Sequence, residues 1–493
     1  MNLKKIILLT VFLAPVFGSC QKDIANVVVT PPTTTPPKTG TDDKLIVYPQ
    51  PGDLSKVEHL APTNDYTVEV RKKGDTKYQM LFVYETDNYW VDTYFGGKPK
   101  PQLSASFTSF AFKETAVEVK ITYKGPISSF TVRPLNFGIN AVRDWANNNV
   151  ITFTLTEPKK VSIEFNDRTN PLFLFAEAPD VENKAATYYY GPGVHNIGLQ
   201  KTLKSNESVY IAAGAVVEGS FIIPYNSQNI SIKGRGILTM GEWKHESTDI
   251  TWLGVHSGVK ANGVSNLQME GIIFANTCGW TIPIYNSDNL TFNNQFRNLK
   301  MVSWNGNTDG IWVNGNNHIV DDCFIFNNDD IIMSHGATNC KISNLVAWGG
   351  PWGRLYYLAN QASTSGILFE NINLIGKDGG VELIQVVGDK GTNINMSNIT
   401  FKNLRVEAHP KTNSYNTNKF IIFNSGYKSV TNWLFEDVTI DDKNPDEGDF
   451  FGTAASPING VKFKNLKIGG VKVNSLSEGN MDKNEFATNI TFE

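Results

Sequence analysis

Two short stretches place acidic side chains at matching points of a repeat. Asn307-Thr308-Asp309-Gly310-Ile311-Trp312 and Asn328-Asp329-Asp330-Ile331-Ile332-Met333 share one pattern, and Asp309 and Asp330 are 21 residues apart. That interval is about one turn of a solenoid built from repeats of 20 residues or more. On such a solenoid the two aspartates occupy the same place on adjacent coils, about 4.8 Å apart. Asp329 adds a third carboxyl. Crowded carboxylates hold a proton on one of their number at neutral pH, so the cluster contains an acid and a base at once. That is the equipment of general acid–base catalysis. Asp is also a common turn residue, which is the plain reading of each aspartate taken alone. The duplication and its interval favour a site. The nearby pair Asp321-Asp322 falls within a strand unit and is read as a bend.

The solenoid itself is legible from about residue 183 onward. A unit recurs in which Asn or Gly precedes a short alternation of apolar and variable residues, followed by a second Asn or Gly and another apolar run. Copies begin at Asn229, Asn266, Asn289, His318, Cys340, Gly366, Asn398, Asn432, Gly460 and Asn489, at intervals of roughly 22 to 37 residues. Alternation indicates strands, and Asn or Gly between them indicates bends in the left-handed backbone region. Stacked copies would range the Asn side chains in ladders, each satisfying its neighbour's backbone. No amphipathic stretch long enough for a helix intervenes. The expectation is a right-handed parallel β-helix over 183–493, its core filled by stacked Ile, Leu, Val and Phe. Residues 45–182 show a different grammar, with short strands at Tyr66–Val70, Met80–Tyr84, Ala116–Tyr123, Val150–Leu155 and Lys160–Phe165 and turn signals between them. That pattern predicts a β-sandwich, placed over the N-terminal end of the coil stack. Trp90, Tyr94 and Trp145 in this domain are read as core. The fold class is thus all-β, a sandwich followed by a β-helix.

The chain's ends and composition narrow its surroundings. Its 493 residues exceed one typical domain, and 44 basic against 48 acidic residues leave a net charge of −4. Nothing forms the basic face that a nucleic-acid partner requires. Lys4 and Lys5 precede an apolar run from Ile6 to Phe17, too short to span a bilayer, and Gly18-Ser19-Cys20 follows. Small residues before a cysteine resemble the lipobox of bacterial lipoproteins. That resemblance implies a signal peptide over 1–20, lipidation of Cys20 and residence at the outer membrane. Residues 21–44 are rich in Pro and Thr and read as an extended tether. Cys278, Cys323 and Cys340 cannot all pair and lack metal-ligand spacing, so they are read as buried thiols. The acidic loop 441–449 lacks the glycine of a calcium loop and is read as solvated. No cofactor or metal is expected, and the chain is expected to be a monomer.

The paired aspartate motifs also resemble a known group. Asn-Thr-Asp-Gly at 307–310, followed by Asn-Asp-Asp at 328–330, is similar to the polygalacturonase-type β-helix hydrolases, glycoside hydrolase families 28 and 49. The order of domains points to family 49, the dextranase and isopullulanase family. So does the entry Tyr190-Gly191-Pro192-Gly193-Val194 followed by 209–217. The resemblance implies an inverting hydrolase in which Asp329 is the general acid while Asp309 and Asp330 hold and deprotonate the water. The sequence departs from family 28 where that family grips a uronate. The corresponding stretches read Gly349-Gly350-Pro351-Trp352-Gly353-Arg354 and Gly380-Val381-Glu382-Leu383-Ile384-Gln385, without the His and the Arg/Lys pair. A neutral glucan such as dextran fits this better than pectin, although Arg354 alone could still bind an acidic group.

Further contacts with a polysaccharide substrate are expected from His335, Arg354, Glu382 and Gln385. Trp280, Trp348, Trp352 and Tyr356 are expected to add aromatic surfaces for sugar C–H faces. Trp312 and Tyr357 are also near, Trp312 as a candidate for the core. Three other readings stand beside the neutral-glycan hydrolase: a pectin hydrolase, a polysaccharide lyase, and a non-catalytic glycan-binding surface lipoprotein. A lyase would need a basic residue near the abstracted proton, and no such cluster is present.

Overall fold

The computed structural model describes residues 44–86, 104–243, 254–350, 352–358, 362–377, 382–387, 394–407, 419–424 and 428–493, all within one compact unit. Among these residues the regular structure is almost wholly β. Cys20, Trp90 and Tyr94, and the signal and tether segments as far as residue 43, lie outside the described residues.

The sandwich has two sheets facing a common core. One contains Ala105–Phe112 paired in parallel with Leu172–Glu177, which pairs antiparallel with Lys160–Phe165. The other is antiparallel, with Tyr66–Lys72, Val117–Tyr123 and Val150–Leu155 at its centre. Alternation explains the second sheet: Val117, Val119 and Ile121 are buried while Glu118 and Lys120 face out and pair with Arg71 and Glu69. Lys160–Phe165 and Leu172–Glu177 are buried along their whole length because their second face is covered as well. What covers it is the β-helix.

The last sandwich strand ends at Glu177 and the first strand of the solenoid begins at Tyr188. From there parallel strands stack coil upon coil. Left-handed corners bind each coil to the next. Asn298, Asp322, Asn344, Asn371, Asn403, Asp437 and Asn465 all have positive φ and occupy one corner, where Asn and Asp tolerate the conformation. The Asn ladders differ from expectation in their partner. Asn344 donates to Asp321 (2.8 Å), Asn371 to Asn344 (3.2 Å) and Asn403 to Asn371 (2.7 Å), so side chain satisfies side chain. Each Asn already spends its own backbone conformation on the corner, and the amide is then aligned with the next amide along the stack. Asp322 is the bend that the sequence indicates. Inside, Phe369, Phe401, Phe435, Phe463 and Phe492 stack with centroids 4.5–5.2 Å apart and planes within 16°. The three internal cysteines are buried thiols outside any disulfide.

The sandwich lies along the flank of the solenoid, and not over its N-terminal end as expected. Phe107, Phe173 and Phe175 pack against Val216, Ile237, Ile273, Val302, Phe324, Phe326, Val346 and Trp348, which come from successive coils. The reason is visible in the residue types. These coils carry apolar residues on the outer face of one wall, and only another apolar sheet can cover that face. Trp348 is therefore no substrate platform. It is 1% exposed, lies edge-on to Phe173 and Phe326, and has the Arg168 guanidinium 3.9 Å over its ring.

Charged groups seal the same interface. Glu177 of the sandwich takes Lys300 Nζ at 2.9 Å on one oxygen and Arg235 Nε at 2.8 Å on the other, and Asn298 donates to it at 3.0 Å. Lys300 also donates to the carbonyl of Gly271. Gly271 is fixed as glycine here: its φ is +83°, and a Cβ would lie 1.8 Å from Arg235 Nη1. Trp145 departs from the sequence reading too. It is 84% exposed, on a turn of the sandwich, with Arg143 over its ring.

Candidate active site

Following the covered wall along the chain, a further run of parallel strands is Ile311–Trp312, Ile332–Ser334, Tyr356–Leu358, Ile384–Val387, Ile421–Asn424, Gly448–Phe451 and Met481–Lys483. Its register aligns Ile311, Ile332, Tyr356 and Ile384 as buried core positions. Two residues before each of these stand Asp309, Asp330, Arg354 and Glu382. The four make one row across four successive coils. Backbone bonds hold the row beyond the strands themselves: Gly310 N–H donates to the Asp330 carbonyl (2.8 Å), and Ile331 N–H to that of Arg354 (2.8 Å).

Asp329 and Asp330 could not share a face within a regular strand. The chain resolves this by bending. Phe324–Asn327 ends the preceding strand, residues 328–330 are irregular, and the next strand starts at Ile332. Neighbouring polar groups fix the bend. Asn327 Nδ2 donates to the Thr308 carbonyl at 2.7 Å and Asn328 Nδ2 to that of Trp304 at 3.0 Å. Thr308 Oγ1 donates to the Asn305 carbonyl (2.7 Å) and accepts from the Asn328 N–H (3.1 Å). Thus the Asn and Thr of the two motifs stitch one aspartate coil to the other.

Each carboxyl has a different partner. Asp309 Oδ2 accepts from the Trp312 indole at 2.9 Å. Asp330 Oδ1 accepts from the Arg354 backbone N–H (3.3 Å) and Nη1 (3.1 Å). Asp329 Oδ1 accepts the N–H of Asp330 at 2.9 Å, and no cation among the described residues bridges to it. Burial raises all three above the usual carboxylate range. For Asp309 the neighbouring charge of Asp330 adds to this, and for Asp329 the charges of Asp309 and Asp330 do. Arg354 opposes burial at Asp330 and leaves it at about 6. Arg354 itself would be depressed by burial, but Asp330 and Glu382 outweigh that and hold it above its ordinary value. The arrangement can therefore present a proton donor and an ionised carboxylate side by side.

The remaining residues sort by position. Trp280 corrects the sequence reading as well: it is buried, as is Trp312, and the two pack at 4.7 Å with Tyr285 and Met333 against them beside Asp309, so Trp280 fills a local apolar cluster and is no open sugar platform. Half-buried His335 stands edge-on to Trp312 at 5.0 Å. Half-buried Trp352 sits in a tight turn whose backbone donates to the Asn328 carbonyl at 3.1 Å, next to Asp329. Gln385 faces outward beside Tyr357 on adjacent strands. Tyr356 corrects the sequence reading: it is fully buried in the core, 4.8 Å from Phe369, with its hydroxyl on Ser334. Alternation puts its neighbour Tyr357 outward, so the choice between consecutive tyrosines required the register. Glu382 is buried with its Oε1 on Arg354 Nε at 2.9 Å, and so serves Arg354 before any ligand. That linkage was absent from the sequence reading, although the spacing of the row across coils contained it.

Known proteins bear on this geometry. The model of Glycosyl hydrolases family 28 matches residues 214–485, more than half of the chain, and spans every residue of the acid row. The chain belongs to the clan of Glycosyl hydrolases family 28. Within that clan its likeness is to the dextranase type, family 49. Dextranases from Arthrobacter globiformis and Arthrobacter sp. (strain CB-8) are each 26% identical, over 208 and 190 residues. These matches cover 36% and 34% of this chain, and only 32% and 29% of the relatives' own lengths. Dex49A from Penicillium minioluteum has the same fold, with a TM-score of 0.70 at 17% identity, covering 92% of this chain and 97% of that one.

Proposed function

We propose that this chain is a glycoside hydrolase that cleaves a dextran-type α-glucan with inversion at the anomeric carbon. One observation carries the mechanism: Asp309 and Asp330 stand in register on adjacent coils, with Asp329 beside them and one guanidinium among three carboxyls. Asp329 gives its proton to the departing glycosidic oxygen. Asp330 and Asp309 orient a water on the opposite face of the sugar and take its proton as oxygen attacks. Burial favours both steps, because it keeps the acid protonated near neutral pH and strengthens every charge interaction in the site.

The neutral substrate follows from the use of Arg354. Its Nε and Nη1 already meet Glu382 and Asp330, so an incoming uronate carboxylate would face two protein carboxylates there. Trp280 and Trp312 are themselves buried, so the aromatic surface left for sugar C–H groups is that of half-buried Tyr285 and Tyr357. The names of the dextranase relatives support the same substrate class. We also assign residues 1–20 as a lipoprotein signal and Cys20 as the lipidated residue, which would place the enzyme on a bacterial outer membrane at the end of a short tether.

The test is hydrolysis of dextran, other neutral α-glucans, galactans and pectin, with the anomeric form of the first product followed by NMR. Release of the opposite anomer from dextran supports the proposal. Retention of configuration removes the mechanism. Cleavage of pectin alone removes the substrate class, and an unsaturated product absorbing in the ultraviolet indicates a lyase.

A further inference from the structure

The acid row contains more than its three aspartates. We infer that Arg354 and Glu382 form a positioning pair that pins Asp330 as the ionised member of the cluster and leaves the transferable proton with Asp329. This rests on the acid–base roles proposed above.

The two residues follow Asp309 and Asp330 in the same row, one coil apart each. Arg354 delivers two donors to a single oxygen of Asp330, its backbone N–H and its Nη1. The Nε edge of the same planar group is bound to Glu382 at 2.9 Å, and the Tyr357 ring lies 5.0 Å from its centre. A guanidinium is a rigid fork, so fixing one edge fixes the direction of the other. Glu382 is buried and thus holds that edge in an environment where the interaction is little screened.

Asp330 is faced by Asp309 from the preceding coil, Asp329 from its own turn, and Arg354 and Glu382 from the two following coils. Only one of these is a cation. The three aspartates therefore receive unequal help in carrying charge. Asp330 has a guanidinium, Asp309 a neutral indole N–H, and Asp329 a single backbone N–H. Asp309 and Asp329 thus have one neutral donor each, but Asp329 is faced by two carboxylates and Asp309 by one, and this places the proton at Asp329. Burial raises Asp309 and Asp329 alike, with one neighbouring carboxylate adding to it at Asp309 and two at Asp329, while Arg354 draws Asp330 down.

The test compares kcat/KM against pH for the full chain and the variants R354M, E382A and E382Q, with dextran as the probe. The acidic limb reports the group that must be ionised. In R354M it should move up by about one unit or more, the shift expected when an adjacent cation is lost. At pH 6 kcat should fall roughly 10–100-fold while KM changes by less than about threefold. E382A should move the limb the same way by a smaller amount. E382Q should restore the limb to within about 0.3 units, because Gln still accepts the Nε–H bond. An unmoved limb in folded R354M overturns the inference, as does an E382Q variant that is no better than E382A. If R354M does not fold, the two Glu382 variants decide the matter. D330N is run beside them: wild-type turnover in D330N would refute the proposed catalytic roles. An inactive D330N with an unmoved limb in R354M would refute the positioning pair alone.

Discussion

At the flank of the solenoid, Glu177 meets Lys300 and Arg235; in its acid row, Asp309, Asp329, Asp330 and Glu382 surround Arg354. Both are buried ionic clusters that involve the solenoid, yet they are balanced in opposite ways. The flank cluster gives one carboxylate two cations, adds Asn298 as a further donor, and brings Asp180 within 3.7 Å of Arg235 to offset the excess. Its charge is nearly closed and its effect is to lock a sandwich strand onto a coil. The acid row gives four carboxyls a single cation. A cluster of that kind cannot be fully ionised, and the proton it must retain is the one that the proposed mechanism uses. Burial alone does not distinguish structure from function; the count of partners per charge does.

The largest effect that would test this contrast is at Asp329. D329N should cut turnover by roughly 10²–10⁴-fold, the range for loss of a general acid, while circular dichroism and dextran binding stay at wild-type levels. Substantial remaining turnover would make Asp329 a turn residue after all. Lys300→Met should do the reverse. Leaving Glu177 with one cation fewer should cost about 3–5 kcal/mol of stability, read from denaturant unfolding, with kcat of the remaining folded enzyme unchanged. A large loss of kcat at unchanged stability would mean that the flank and the acid row are one functional unit.

How far the sequence led can be judged from these same residues. The aspartates were legible because two short motifs recur at one coil's interval, and the solenoid because Asn and Gly corners recur with it. The sandwich strands Val150–Leu155 and Lys160–Phe165 stand where the alternation put them. What failed was direction. Trp348 and Tyr356 lie close to the motifs in the chain but face the sandwich and the core, since a one-residue change of register reverses every side chain. Trp145 was assigned to the core by its type alone. The flank cluster is drawn from residues 177, 235 and 300, with no local motif linking them, so only the folded arrangement reveals it.

Smaller effects sharpen the comparison through pH. A carboxyl raised in the folded state binds its proton more tightly there than when unfolded. Its contribution to stability is therefore full below the unfolded value and is lost as pH rises through the folded one. Asp330 spans about 4 to 6 in this way, and Asp329 is raised as well. D329N should consequently raise the unfolding temperature at pH 7 by a few degrees relative to wild type, and by less at pH 4. A lower midpoint at pH 7 would show that the ionised carboxylate is a structural asset. Lys300 works with the opposite chemistry. Burial lowers it to about 8, so the folded state has released its proton while the unfolded chain, near 10.5, still holds it. Stability from this group alone should rise with pH between about 8 and 10.5, and Lys300→Met should flatten that slope. The smallest effect belongs to the corner ladder, where Asn371→Ala should cost about 1 kcal/mol and leave kcat unchanged.

The corners described above are short and uniform, whereas the lengths of chain that lead into the strands of the acid row are not. Asn327 and Ile332 are separated by four residues, Gly349 and Tyr356 by six, and Val406 and Ile421 by fourteen. Length can thus be added beside the acid row without disturbing the amide ladder at the other corner. A lineage built on this frame is free to wall off one end of the trough or lay it open, trading internal cutting for trimming from chain ends, while the pitch that aligns its acids stays the same.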